Sequence, residues 1–504
     1  MADISTKHVS YWIDSTPETS YPELPGDLSV DVAVVGAGIV GLTTALLLKR
    51  AGRSVAVIDS QKIVGQVTGR TTAKLTSLHG LIYSYLIKSF GEDGARVYAE
   101  SNQAAIEIVD TIRTQLGSEC DFERQAAYTV TESKEQLPAL EAEREAAARL
   151  GLPVDLVTET TLPFPIVGAV RFDNQARFHP RKYLLSVAQA VDGDGCAIFE
   201  NTRVLDVEEG APCQVLTDKG KVTARDVVIA TNIPILDRGG FFAKAFPRQH
   251  VVVGIRVAPE QVPDGMFLSV GEPSYSVRVH PTDKGPLLIV SGQGYPTGHA
   301  DTAQKSRELR WFVQNRFQGA SIEYEWVNQD YDAADRVPYI GHLTPGSKHL
   351  YTATGFSAWG LTNGTMAATI LSDEIIGNHN RWAELYRATR VNLKTSGAKL
   401  LKKNVHIGEM WLKDKLASGL RQTPETVAPG EGEIINFHGK KTAVHRDETG
   451  QIHAVSAVCT HLGCIVHWNK AAKSWDCPCH GSRFDAEGKV ISGPAIKNLE
   501  PESL

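Results

Sequence analysis

Long apolar runs are missing from this chain of 504 residues; none approaches the ~18–20 residues needed to cross a bilayer. The opening stretch, MADISTKHVSYWID, has no basic segment followed by an apolar one, so a secretory signal is not expected. Charge of one sign is scarce as well. The 52 Lys and Arg against 58 Asp and Glu leave a net −6, which excludes a nucleic-acid coat as a global property. Apolar residues at 42%, with 44 Gly and 24 Pro, are ordinary globular values and argue against a collagen-like or largely disordered chain. The length exceeds one domain, so more than one core is expected. These absences leave a soluble, cytoplasmic, multidomain protein as the expectation.

Cysteine is sparse too, seven in all, and unevenly placed. Cys120, Cys196 and Cys213 have no Cys or His at ligand spacing and read as packing thiols. Cys459, Cys464, Cys477 and Cys479 fall within 21 residues, beside His461 and His480. A secreted protein built on disulfides would be shorter and would spread its cysteines. The segment reads Cys459-Thr-His461-Leu-Gly-Cys464, then Cys477-Pro-Cys479-His480-Gly-Ser482. Each loop mixes Cys with His. Two thiolates and two imidazoles can hold zinc, but zinc knuckles commonly pair Cys with Cys. Mixed loops suit a [2Fe–2S] cluster with one iron held by two Cys and the other by two His.

Residues 422–504, through CTHLGC and CPCHGS, resemble the Rieske iron–sulfur domain of the cytochrome bc type. The resemblance implies that Cys459 and Cys477 bind the inner iron. It implies that His461 and His480 bind the outer, solvent-facing iron, and that Cys464 and Cys479 form a disulfide tying the loops together. Ser482 matches a serine whose hydroxyl points at a bridging sulfide. Phe484 stands where high-potential members carry a tyrosine, so one hydrogen-bond donor is missing and a lower potential is expected.

Near the other end, Asp31 to Gly41 reads DVAVVGAGIVG, followed by LTTALLLKRAG and a second strand, SVAVID, ending on Asp59. This is an apolar strand, a G-x-G-x-x-G turn, and a helix stopped by Gly52. Gly36 makes the tight turn, Gly38 lets a diphosphate approach the backbone, and Gly41 lets helix and strand pack; Asp59 accepts from ribose hydroxyls. Gly292-Gln-Gly294 with Gly298 carries Pro296 and no helical pattern, so it reads as a loop. One fingerprint favours FAD over an enzyme that also reads NAD(P)H. So do the hydroxyl-rich loop 65–74, the strand DVVIAT ending on Thr231, DRVPYIG with Gly341, and GFSAWGLTNG opening a helix.

Residues 8–385 resemble the D-amino-acid oxidase-like superfamily, which includes glycine oxidase, sarcosine oxidase and the dimethylglycine dehydrogenases. The resemblance implies that Arg70, Thr71, Thr72 and Ala73 flank FAD, that the Val204 backbone touches adenine, and that Thr362, Asn363 and Gly364 lie near the flavin ring; Gly355 and Gly360, in the turn before them, are expected to bind the cofactor too. The expected fold is an α/β Rossmann-like FAD-binding domain with an antiparallel substrate sheet, plus a small all-β Rieske domain. The FAD-dependent part spans 1–385, with FAD-binding portions near 28–80, 170–235 and 335–385 and the substrate sheet near 241–334. The Rieske domain occupies 422–504. The two modules in this order look like bacterial FAD-dependent oxidoreductases with a C-terminal Rieske domain.

Catalytic candidates come from Trp326, Gln329, Asp330, Asp332, Asp335 and Arg336, with Gln329, Asp335 and Arg336 placed first. A Gln or Asp above the flavin orients an amine, and an Arg pairs with a carboxylate. Arg336 and Asp335 read equally as a surface turn, and Arg256 or Arg278 serve equally as the carboxylate arginine. His79 is the nearest candidate for a covalent flavin link and reads as ordinary. Residues 381–421 carry a net +7, leaving −13 on the rest of the chain. Within 386–421, Leu401, Val405, Leu412 and Leu416 suggest an amphipathic basic helix interrupted by Gly408, read as a connector or as a peripheral contact with an anionic membrane holding a quinone.

The expected activity is a dehydrogenase that oxidises an amine or amino acid and passes electrons from FAD to the cluster and on to an external one-electron acceptor or quinone. A component serving a partner monooxygenase or reductase would need NAD(P)H, and a non-catalytic redox sensor would not need every ligand intact.

Overall fold

A computed structural model of the chain describes residues 6–298, 300–391 and 423–504, together with 397, 400, 402, 404, 405, 408 and 409. Most of the anticipated basic helix, including Leu401, Leu412 and Leu416, therefore lies outside the described residues. Among the described residues no helix is long and apolar enough to cross a membrane.

The first strand, Leu28–Val35, ends in four consecutive buried residues, and Val55–Ile58 is buried throughout. Continuous burial without alternation marks strands covered on both faces, as parallel sheets require. These two lie at the centre of a sheet ordered Tyr339–His342, Leu350–Thr354, Lys221–Ile229, Leu28–Val35, Val55–Ile58, Ala197–Phe199. Along this path the pairs are parallel except Tyr339–His342 with Leu350–Thr354; Cys213–Thr217 joins Lys221–Ile229 antiparallel, with Val204–Glu208 beyond it, to make eight strands. The helix Ile39–Arg50 follows the first strand and packs against the helix Gly360–Ile376. Nine of its twelve residues are buried, so it is a core element. It ends as expected, with Gly52 at φ +77°.

The second sheet has ten strands. Its longest pair, Ala245–Arg256 with Ser321–Ala333, is antiparallel. The strands within 241–334 fall in this sheet, and Lys74–Leu75, Glu123–Thr131, Val154–Val157 and Gly168–Arg177 also belong to it. Gly168–Arg177 was expected with the FAD-binding part, and it forms this sheet instead. The sheet is also mixed rather than antiparallel, because Met266–Ser269 runs parallel to Glu123–Thr131. A long connection between those strands permits parallel pairing, which a short hairpin does not.

The C-terminal module is all β, with a three-stranded and a four-stranded antiparallel sheet. Trp475 and Phe484 face each other across strands and are fully buried, beside Val466, Ala457 and Leu499. Two buried aromatics supply much of the apolar area such a small core can offer.

The two modules meet through a buried polar network. The Gln249 amide donates to Asp476 Oδ2 at 2.6 Å and to Gln329 Oε1 at 3.0 Å. Asn469 donates to Asp476 Oδ2 at 2.7 Å, Arg483 Nε donates to Asp476 Oδ1 at 3.0 Å, and Ser474 Oγ donates to Asp476 Oδ1 at 2.8 Å. The Asp476 carboxylate is thereby compensated on both oxygens, as its complete burial demands.

Candidate functional site

The G-x-G-x-x-G turn has the geometry its residues require. Gly36 has φ +103°, and a Cβ there would come 2.6 Å from the Ala230 carbonyl oxygen. A Cβ on Gly41 would lie 1.9 Å from the Gly36 carbonyl oxygen. Only glycine lets helix and strand close at these points. Asp59 accepts from Ala37 N at 2.8 Å and Gln61 N at 2.9 Å. Burial pushes its carboxyl up to about 6 against those bonds.

A single cavity runs from this turn to the second sheet. Gly36, Gly38, Asp59, Arg70, Thr71, Thr72, Val204, Thr231 and Gly360 line it. It is a cradle where added Cβ atoms would clash, at the N-terminus of the helix Ile39–Arg50, and it fits an extended dinucleotide such as FAD. Gly341, Gly355, Thr362, Asn363, Gly364 and Ala73 are not in its wall. Gly364 instead allows the helix–helix contact, since a Cβ would meet Ile39 Cγ2 at 2.8 Å. Ala73, with φ +60°, offers its carbonyl to the buried Arg278.

The catalytic candidates separate. Gln329 lines the cavity, but its amide donates to the Gly481 carbonyl at 2.7 Å and its Oε1 accepts from Gln249 and Thr297. Asp335 lies outside the wall, buried against Arg390 at 2.8 and 3.0 Å. Arg336 also lies outside, over the Tyr85 ring at 4.7 Å. The pairing of Asp335 with Arg390 explains its burial and removes both from the reacting space. Arg256 is held by Glu323, Thr282 and Gly285, and Arg278 donates to backbone carbonyls. Trp326 donates to the Arg70 carbonyl at 2.7 Å, and Asp332 lies 3.6 Å from Arg248. His79 has both ring nitrogens engaged, by Tyr98 and Thr76 at 2.7 Å each, and stacks on Trp359. Burial pushes it down to about 3, and it stands behind the cavity wall rather than in it.

Asp330 and Lys74 are two of the ionisable groups in the cavity wall, with His250 also in the lining. Asp330 accepts from Ala358 N at 2.6 Å through Oδ2, while its buried Oδ1 has no partner. Burial pushes its carboxyl up to about 7. Lys74 is buried and bonded to Ser276 Oγ, and burial with the nearby Arg278 charge pushes it down to about 7. Lys74 escaped the reading of the loop 65–74 by composition. Its strand pairing with Arg177, which turns it into the cavity, is a tertiary fact.

In the C-terminal module Cys459 and Cys477 are buried free thiols, and Cys464 and Cys479 form a disulfide. Three sulfurs, of Cys464, Cys477 and Cys479, lie within 4.8 Å of one another, but two are consumed by that bond. The His461 and His480 rings are 5.0 Å apart between centroids and nearly perpendicular. The Nδ1 atoms of both are buried without a hydrogen-bond partner. Hydrogen bonding with Cys477 and with the His461 and Leu462 amides draws the Cys459 thiol down to about 7. Two thiols and two unpartnered imidazole nitrogens on adjoining loops fit a cluster held by two Cys and two His. Ser482 Oγ accepts from Ala495 N at 3.0 Å nearby.

The anticipated solvent-facing histidine edge is covered. The side chain of His461 is 4% exposed and its Nε2 lies 2.6 Å from Asp237 Oδ1; His480 is 8% exposed, and both rings meet Phe242 edge-on. The cause is packing against the other module. Tyr331 donates to the carbonyls of His480 at 3.1 Å and Gly493 at 3.3 Å. Gly481, at φ +79°, permits this approach, since a Cβ would lie 2.6 Å from Pro247 Cβ. Cys120, Cys196 and Cys213 are buried free cysteines, each away from this site.

Comparison with known proteins agrees with this architecture. The family model FAD dependent oxidoreductase matches residues 31–374, and the Rieske [2Fe-2S] domain model matches 421–501. YhfW of Bacillus subtilis, named as a Rieske 2Fe-2S iron–sulfur protein, is 34% identical over 498 residues, covering 98% of this chain and 97% of its own. The gamma-glutamylputrescine oxidoreductase of Escherichia coli is 24% identical over 397 residues, 75% of this chain and 91% of that protein. Glycine oxidase from Geobacillus kaustophilus superposes with a TM-score of 0.60 at 17% identity, covering 72% of this chain and 99% of that one.

Proposed function

We propose, since the chain belongs to the FAD dependent oxidoreductase family and carries a Rieske [2Fe–2S] domain, that it is a dehydrogenase. In this reading it oxidises a small amine or amino acid, moves the electrons within the chain to the Rieske centre, and yields them to an external one-electron acceptor. FAD and the [2Fe–2S] cluster are its cofactors. Bound in these sites, FAD supplies a two-electron acceptor for a C–H bond beside nitrogen, and the cluster supplies a one-electron carrier.

The protein's own part is binding, orientation and proton handling. The amides at the start of Ile39–Arg50 meet the diphosphate, Asp59 the ribose, and Arg70, Thr71, Thr72, Val204, Thr231 and Gly360 the remainder of the dinucleotide. Cys459 and Cys477 hold one iron, and Nδ1 of His461 and His480 the other. Asp330 Oδ1 takes a proton from the substrate ammonium, so that the amine reacts as a free base; a carboxyl near 7 suits that task. Lys74 Nζ pairs with a substrate carboxylate. Phe356 and Trp359 in the cavity wall limit water.

The observation that carries the reading is the strand Ser321–Ala333. Its Gln329 and Tyr331 line the dinucleotide cavity and also hold the backbone at His480 and Gly481. The amine and amino-acid donors named for the gamma-glutamylputrescine and glycine enzymes support the substrate class. Anaerobic mixing with a panel of amines and amino acids tests it. Flavin bleaching with appearance of the reduced-cluster EPR signal is expected, and NADPH is expected to do neither. Bleaching by NADPH alone would overturn the reading in favour of an electron-transfer component.

A further inference from the structure

The C-terminal module forms part of the dinucleotide cavity as well as covering its neighbour. Arg483, Val490, Ile491, Ser492, Gly493, Ala495 and Ile496 line the cavity together with the glycine turn. The contact is specific. Gln61 Nε2 donates to the Ile491 carbonyl at 3.0 Å, and Arg203 donates to the Val490 carbonyl at 3.3 Å. Gln61 is two residues beyond Asp59, so the strand Val490–Ser492 lies over the ribose-binding end of the groove.

We propose that Arg483 and Ser492 are FAD-binding residues contributed by the Rieske module, Arg483 at the diphosphate opposite Arg70 and Ser492 at a ribose hydroxyl. Ser492 Oγ is buried and has no hydrogen-bond partner. An unpaired buried hydroxyl is costly unless a ligand satisfies it. Arg483 is 4% exposed, and Asp476 and Ser474 fix its guanidinium at 3.0 Å each. Across the cavity, Arg70 donates to the Gly65 carbonyl at 3.3 Å and makes no salt bridge among the described residues. Burial, with the charge of Arg483, pushes Arg70 down to about 10. Arg483 already has the Asp476 carboxylate, but Arg70 has none among the described residues, and a diphosphate lying between the two guanidinium groups supplies that charge.

This inference rests on FAD as the cofactor and not on the amine substrate, so its test uses no substrate. Full-length holoprotein carrying Arg483→Gln, Arg483→Lys or Ser492→Ala is diluted, and released FAD is followed by its fluorescence. Cluster content is read in parallel by EPR. Arg483→Gln is expected to raise the FAD Kd about tenfold or more with the cluster signal retained, Arg483→Lys to recover part of that loss, and Ser492→Ala to raise the Kd about three- to tenfold. Wild-type FAD affinity in both Arg483→Gln and Ser492→Ala overturns the proposal. If Arg483→Gln also loses the cluster, its FAD loss reflects misfolding and Ser492→Ala decides alone. That change removes one oxygen that has no protein partner, so an unaltered Kd then overturns the proposal and a weakened one supports it.

Discussion

The side-chain amide of Gln329 donates to the carbonyl of Gly481 at 2.7 Å. One bond thus joins the wall of the nucleotide-turn cavity to the residue after His480. A side chain chosen from the sequence as a substrate-orienting group is instead occupied in holding two redox sites together.

Replacing Gln329 with Ala should take their partner from the Gly481 carbonyl and the Thr297 hydroxyl and one of two acceptors from the Gln249 amide, at a cost of about 1–3 kcal/mol. After photochemical reduction of the flavin under anaerobic conditions, cluster reduction should be slower than in the wild type. Equal rates in both proteins would mean that this bond does not set the relative position of the sites.

Asp330 should impose a pH dependence. With its carboxyl near 7, the rate of flavin reduction by substrate should rise as pH increases through that value. Asp330→Asn should lower the rate about a hundredfold or more at neutral pH and flatten the profile. The same shift acts on folding. A carboxyl raised in the native state binds protons that the unfolded chain has released, so its stabilising contribution is full below the usual carboxylate range and is lost as pH rises through about 7. Asp330→Asn should therefore weaken the fall in melting temperature between pH 5 and 8 (about the window of the shift).

The disulfide Cys464–Cys479 closes a segment of sequence separation 15. Removing both cysteines as Ser should cost roughly 3 kcal/mol by the loop-closure argument. The visible absorbance of the cluster should bleach at lower urea than in the wild type, while FAD release follows only once the interface gives way.

Phe484 is fully buried opposite Trp475, one residue beyond Arg483. Phe484→Tyr adds a hydroxyl to this ring, supplying the hydrogen-bond donor expected from the sequence to be missing here. A redox titration should find the cluster potential raised, because a donor to sulfur stabilises the more negative reduced state. An unchanged or lowered potential would show that the hydroxyl does not reach the cluster.

Legibility in the sequence tracked how local the physics was. Gly36, Gly38, Gly41 and Asp59 were readable because a nucleotide turn is written in backbone freedom over about thirty residues. Cys459, His461, Cys477 and His480 could be singled out because candidate metal ligands on two short loops keep a characteristic spacing. Asp335 and Arg336 read as substrate-orienting groups or equally as a surface turn; the Asp335 partner, Arg390, is 55 residues on, and Arg336 lies over the Tyr85 ring, neither of which a local stretch shows. Asp330 stands among the sequence candidates and Lys74 does not, but the pKa shift of neither has a local sign, since both arise from burial by strands distant in sequence.

The sequence by itself determined two cofactor chemistries, their order along the chain and the residues that form their turns and ligand loops, because those depend on spacing and on the conformations glycine, cysteine and histidine permit. The tertiary structure alone decided that the histidine edge turns inward onto Asp237 and Phe242, and that the C-terminal strand Val490–Ser492 roofs the groove opened by Gly36. Docking of this kind follows from shape, buried polar pairing and the summed contacts of residues hundreds of positions apart, and no single stretch of sequence carries that information.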